Sequence, residues 1–142
     1  MIYVIDASVA VKWLLEEETH PNAEQVLERL IEDPESFAVP ELFCFEVFSV
    51  LQRAHPDGLK AFSQGIIPIL QSGMLRHPMT EELANGAEPF LRCGLTGYDA
   101  CYASLAKELG GQWLTFDKKA HNAIKQFDVS CFLQDMIPKE WR

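Results

Sequence analysis

Basic side chains are in short supply in this chain of 142 residues: 12 Lys and Arg stand against 21 Asp and Glu, for a net charge of −9 at pH 7. That balance excludes binding to nucleic acid by bulk charge alone, a mode that needs a positive field. Cysteine is sparse and scattered: Cys44, Cys93, Cys101 and Cys131 form no C-x-x-C pair, which removes zinc ribbons and thioredoxin-type chemistry. No segment reaches the roughly 18 uninterrupted apolar residues of a membrane helix. The apolar start, Met1 to Ile5, meets Asp6 without the basic opening of a signal peptide, so a cytoplasmic protein with reduced thiols is expected. The glycines do not fit the pattern G-x-x-x-x-G-K-S/T, which argues against nucleoside triphosphate chemistry. His20, His55, His77 and His121 share no metal-like spacing. Repeats, low-complexity tracts and linkers are missing as well.

What is present is core-forming material. Apolar residues make up 48% of the chain, enough for a packed interior, and the length suits a single domain spanning residues 1–142. Ile2 to Ile5 and Gln112 to Phe116 read as short strands without alternation, the pattern of strands covered on both faces. Phe37 to Val39, Met74 to Met79 and Val129 to Phe132 read as further strands, the last at an edge. Between them lie helical patterns: Ser8 to Glu16, Asn22 to Ile31, Glu41 to Ala54, Leu59 to Gln71 with Gly65 and Pro68 inside it, Thr80 towards Arg92, Tyr98 to Leu109, and Lys118 to Gln126. Ile137 and Trp141 should anchor the tail. Strands alternating with helices give an α/β domain of three layers, with a mostly parallel central sheet flanked by helices.

The chemistry lies in four carboxylates, Asp6, Glu46, Asp99 and Asp117. Asp6 and Asp117 each end a strand and precede a helix, where an Asp commonly caps backbone N–H groups. Thr96 and Asp99 fit a helix-start signal. Glu46 is different, because it interrupts a helix whose residues Phe43, Phe45, Val47, Phe48 and Val50 are large and apolar. A helix apolar nearly all round belongs in a core or an interface, and a buried unpaired carboxylate there costs several kcal/mol or shifts its pKa. Either Arg53, two turns on, or a cation shared with the other acids must compensate it. In a parallel sheet the strand carboxyl ends lie on one edge, where ligands bind. Asp6 and Asp117 fall on that edge, and Glu46 and Asp99 need only point towards it. Carboxylates gathered there would repel unless hard cations such as Mg²⁺ or Mn²⁺ held them. Such a site suits phosphodiester hydrolysis. Ser8 and Thr115, each two residues from a site Asp, can bond a carboxylate or a metal-bound water, or serve simply as a helix-start hydroxyl and a strand threonine.

Successive motifs carry a family resemblance: Asp6-Ala7-Ser8 after the first strand, Pro40 to Val47 (PELFCFEV), Leu95 to Ala106 (LTGYDACYASLA) and Leu114 to Lys119 (LTFDKK). In order, spacing and total length the chain resembles PIN-domain ribonucleases, especially the VapC toxins. The resemblance implies a Mg²⁺- or Mn²⁺-dependent endoribonuclease acting on RNA, with Asp6, Glu46, Asp99 and Asp117 on the family's acidic positions. It also implies a cognate antitoxin and, commonly, a homodimer.

With the site acids set aside the balance is −9 + 4 = −5, so a hold on RNA must come from local features. Lys118, Lys119 and Lys125 after Asp117, with Lys12 and Arg53 near the other motifs, are the available cations; as a solvated face they would need no function. Two rival readings compete with this one. A phospho-acceptor signalling module, also an acidic Mg²⁺-binding α/β domain, should have adjacent acids after the first strand and a late lysine, where this chain has a lone Asp6 and Asp117. A PIN-like module that binds without cleaving is the other.

Overall fold

The computed structural model describes all 142 residues. Its five strands, β1 (Tyr3–Ile5), β2 (Phe37–Pro40), β3 (Leu75–His77), β4 (Gln112–Thr115) and β5 (Ser130–Phe132), form one sheet in the order β3-β2-β1-β4-β5. Every pairing is parallel, with Tyr3 opposite Phe37 on one side and Gln112 on the other. The residues of β1 and β2 are buried throughout, as strands covered on both faces must be. The edges differ: β3 is largely exposed, whereas β5 is buried beneath the closing segment of the chain.

Around the sheet lie α1 (Ala7–Leu14), α2 (Pro21–Glu32), α3 (Leu42–Ala54), α4 (Gly58–Ala61), α5 (Ile67–Leu70), α6 (Glu81–Gly86), α7 (Glu88–Arg92), α8 (Gly97–Glu108) and α9 (Lys118–Ala123). One continuous core joins them, with Val4, Ile5, Trp113 and Leu114 of the central strands fully buried. Tyr102 of α8 stacks on Trp113 at 5.8 Å and 10°, fixing that helix over the sheet. The tail closes the far side: Trp141 packs on Tyr3 at 4.9 Å, and Tyr3 Oη donates to Glu140 at 2.8 Å.

Several elements depart from the expectation for instructive reasons. Pro21 is already the first residue of α2, expected from Asn22, because His20 Nδ1 accepts from the Asn22 N–H at 3.0 Å and caps the helix. Pro40 belongs to β2, which extends one residue past Val39, and α3 begins at Leu42 rather than Glu41. The helix expected over Leu59 to Gln71 becomes α4, a π-helical stretch over Phe62–Ile66 and then α5. Pro68 has no N–H to give the preceding turn, and a wider turn accommodates its ring. Thr80 to Arg92 divides at Ala87, ahead of Pro89.

Gly111 marks where the fold tolerates least change. A Cβ there would stand 1.8 Å from the Ile2 carbonyl oxygen, a backbone atom that cannot rotate away. Gly111→Ala is expected to reduce stability by about 3 kcal/mol or more, the upper end for an overpacked site. Urea denaturation checks this; an unchanged midpoint would mean that β1 and β4 can move apart.

Candidate active site

The strand order places the chemistry. From β1 the chain builds outward through β2 and β3, then returns to lay β4 against the other side of β1. The order in which strands are added reverses between β1 and β4, and in open α/β sheets the crevice beyond the strand carboxyl ends at such a point is the usual ligand site. Asp6 follows β1 there, and Asp117 lies just beyond Thr115, the last residue of β4.

Asp6 is 7% exposed, and its Oδ2 atom accepts from Ser8 Oγ at 2.5 Å, from Thr115 Oγ1 at 3.0 Å and from the Ser8 N–H at 3.4 Å. The Oδ1 atom receives no hydrogen bond from the protein. Ser8 Oγ in turn accepts from the Phe116 N–H at 3.1 Å, and Thr115 Oγ1 from the Asp117 N–H at 3.0 Å. The two hydroxyls therefore tie the end of β1 to the end of β4 through one carboxylate oxygen. Asp117 caps α9 with Oδ1, which accepts from the Ala120 N–H at 3.0 Å, and Oδ2 is left without a protein donor. Capping and site placement are thus compatible in both aspartates.

Glu46 and Asp99 complete the group. Glu46, on α3, is partly buried, and its Oε1 accepts from the Tyr102 hydroxyl at 2.7 Å. Asp99 sits in the first turn of α8, whose start is capped by Thr96 Oγ1 at 3.1 Å from the Asp99 N–H. The acids act on one another. Burial lifts the Asp6 carboxyl to about 6, against the hydrogen bonds from Ser8 and Thr115, and the charge of Glu46 adds to the rise. Asp99 is also raised to about 6, by partial burial first and then by the charges of Asp6 and Asp117. Glu46 is raised by burial and by Asp99, with the Tyr102 hydrogen bond opposing.

No set of three or more His, Cys, Asp or Glu side chains is drawn together into a complete metal cage. The donor set nonetheless fits a hard cation: Mg²⁺ keeps several waters and needs only one or two carboxylates plus substrate phosphate oxygens. Asp6 Oδ1, Asp117 Oδ2 and Glu46 Oε2, free of protein donors, are oxygens such an ion could take.

Arg53, one of the two partners considered for Glu46, is exposed and forms no ion pair with it; the protein group that meets Glu46 is the Tyr102 hydroxyl. Tyr102 was visible in the sequence one helical turn after Asp99, although an apolar stretch of helix gives no sign that its hydroxyl will meet Glu46. Among the Phe residues of α3, Phe43 is core, but Phe45 is 73% and Phe48 40% exposed. Phe45, Glu46, Arg53 and Tyr98 line one groove of about 560 Å³. Lys118 and Lys119 are exposed beside Asp117. Lys12 is held over the Phe116 ring at 4.7 Å and 4.0 Å from Glu18, so its charge is partly spent. Lys125 does not flank the crevice: it lines a cleft with Met1, Gln112 and Ser130, at the opposite edge of the sheet.

A five-stranded parallel sheet flanked by helices, with acids gathered beyond the carboxyl ends of its two central strands β1 and β4, defines a small three-layer α/β domain of PIN-like class. The chain belongs to the PIN domain family, a family of nucleases, which it matches over residues 3–125. Comparison with curated proteins finds no match. Among solved structures it resembles PAE2754 from Pyrobaculum aerophilum, with 21% identity over 95% of this chain and 91% of that one at a TM-score of 0.69. A toxin-antitoxin complex from Klebsiella pneumoniae contains a similar chain, at 16% identity, 86% and 92% coverage and a TM-score of 0.60. So does VapBC2 from Rickettsia felis bound to a DNA fragment from its promoter, at 16% identity, 87% and 94% coverage and a TM-score of 0.62. At these identities the likeness establishes the fold. No helix is long and apolar enough to cross a membrane.

Proposed function

We propose that this protein is a divalent-cation-dependent endoribonuclease and the toxin of a toxin-antitoxin pair. The carrying observation is the closeness of the acids around the crevice between β1 and β4: the charge of Glu46 acts on Asp6, that of Asp99 on Glu46, and those of Asp6 and Asp117 on Asp99. Membership of the PIN family supports hydrolysis of a phosphodiester, and the resemblance of the motifs to VapC toxins supports RNA as the substrate. Bound Mg²⁺ or Mn²⁺ would polarise the scissile phosphate and lower the pKa of the attacking water. The protein's own part is positional. Ser8 and Thr115 fix Asp6 with Oδ1 left free, and the cap bond of Asp117 leaves Oδ2 free. Lys118, Lys119 and Arg53 are exposed cations available to the RNA phosphates.

An antitoxin partner is supported by the likeness to chains in the Klebsiella and Rickettsia complexes. Residues 1–142 serve as one domain, and a homodimer in the cytoplasm is the assembly we assign, with the exposed Phe45 and Phe48 as apolar surface for it. The test is direct. Purified protein incubated with labelled single-stranded RNA should cut it in Mn²⁺ or Mg²⁺ and leave it whole in EDTA. RNA that stays intact with either ion, or is cut equally in EDTA, would overturn the assignment.

A further inference from the structure

We propose that Tyr102 is a positioning residue that holds Glu46 of α3 beside Asp6 at the end of β1, so that the two carboxylates can serve one cation. Its hydroxyl donates to Glu46 Oε1 at 2.7 Å, and Glu46 accepts no other hydrogen bond from the protein. The ring is fully buried and stacks flat on Trp113 of β4, so the hydroxyl has little freedom to wander. The helix that carries Tyr102 also packs against β1, the strand that Asp6 follows. Asp99 precedes Tyr102 by one turn of α8. A single helix therefore supplies one acid of the crevice and fixes a second that belongs to another helix. Groups that orient a metal-binding side chain typically change metal affinity by about 10–100-fold when removed. Tyr102 is the group in that relation to Glu46.

The inference rests on the cation-site reading of the crevice, and the experiment separates the two. Tyr102→Phe keeps the ring and its stack and deletes only the hydroxyl. Mn²⁺ affinity is measured by calorimetry or paramagnetic resonance on wild type, Tyr102→Phe, Glu46→Gln and the double variant, with melting in EDTA alongside. The expected result is binding about tenfold weaker in Tyr102→Phe, melting in EDTA close to wild type, and no further loss on adding Tyr102→Phe to Glu46→Gln. Wild-type affinity in Tyr102→Phe, with Glu46→Gln weakened, would overturn the role of Tyr102 and leave the cation site standing. An equal loss in the Glu46→Gln background would show that the hydroxyl acts on the core rather than through Glu46. Wild type binding Mn²⁺ no better than Glu46→Gln would overturn this inference and leave a cation site on the aspartates, whereas no Mn²⁺ binding by wild type at all would bring down the cation site as well.

Discussion

Asp6→Asn is expected to remove metal-dependent RNA cleavage, by about 1,000-fold or more, which corresponds to about 4 kcal/mol of lost transition-state stabilisation. The reason is the asymmetry of its two oxygens. Ser8 and Thr115 donate to Oδ2, so in the variant the amide oxygen takes that position and accepts the same bonds. The amide NH₂ must then occupy the place of Oδ1, setting a donor where a cation needs an acceptor. The link between β1 and β4 survives, and the fold with it. Cleavage at the wild-type rate would take Asp6 out of the chemistry. Loss of cleavage together with cooperative unfolding would reduce Asp6 to the cap of α1, the role its position after a strand first suggests.

That double role explains how much of the site could be read in the sequence. Asp6 and Asp117 cap helices and also line the crevice, so neither signal alone distinguishes the functions. Glu46 was conspicuous because a carboxylate among Phe43, Phe45, Val47, Phe48 and Val50 needs a partner; of these, Phe45 and Phe48 lie on the outer face and conceal how far that face is open. Hydrophobic periodicity shows a face only when the other face is polar, and α3 has apolar residues on both. The strands were legible because short covered runs such as Tyr3 to Ile5 have few alternatives once bounded by acids and glycines. Their order was not, since the reversal between β1 and β4 is a property of non-local pairing. Lys125 shows the same limit: eight residues after Asp117 in the chain, it has already crossed to the other edge of the sheet.

A second large effect should appear in how stability depends on pH when cations are withheld. Asp6 titrates near 6 in the folded chain against 3.8 ordinarily, so folding favours its protonated form. The stability this lends is complete below about 3.8 and is lost as pH rises through about 6. A rise of about two units corresponds to roughly 3 kcal/mol. Asp99 is raised in the same direction but is about half open to water, which screens its share. In EDTA the melting temperature of Asp6→Asn should therefore match wild type near pH 4 and exceed it by several degrees at pH 7. Taking the difference between the two proteins cancels groups of opposite sign, such as Glu140, whose carboxyl is held low by Tyr3. Saturating Mn²⁺ should close the gap at pH 7 by stabilising wild type alone, about 2.7 kcal/mol at a hundred times the Kd, and do little at pH 4, where protons compete for the same oxygens. Parallel curves for the two proteins from pH 4 to 7 would show that the Asp6 charge is relieved without an ion. The crevice would then be a set of caps and hydrogen bonds, because a carboxylate that folds without strain has no need of a cation to hold it.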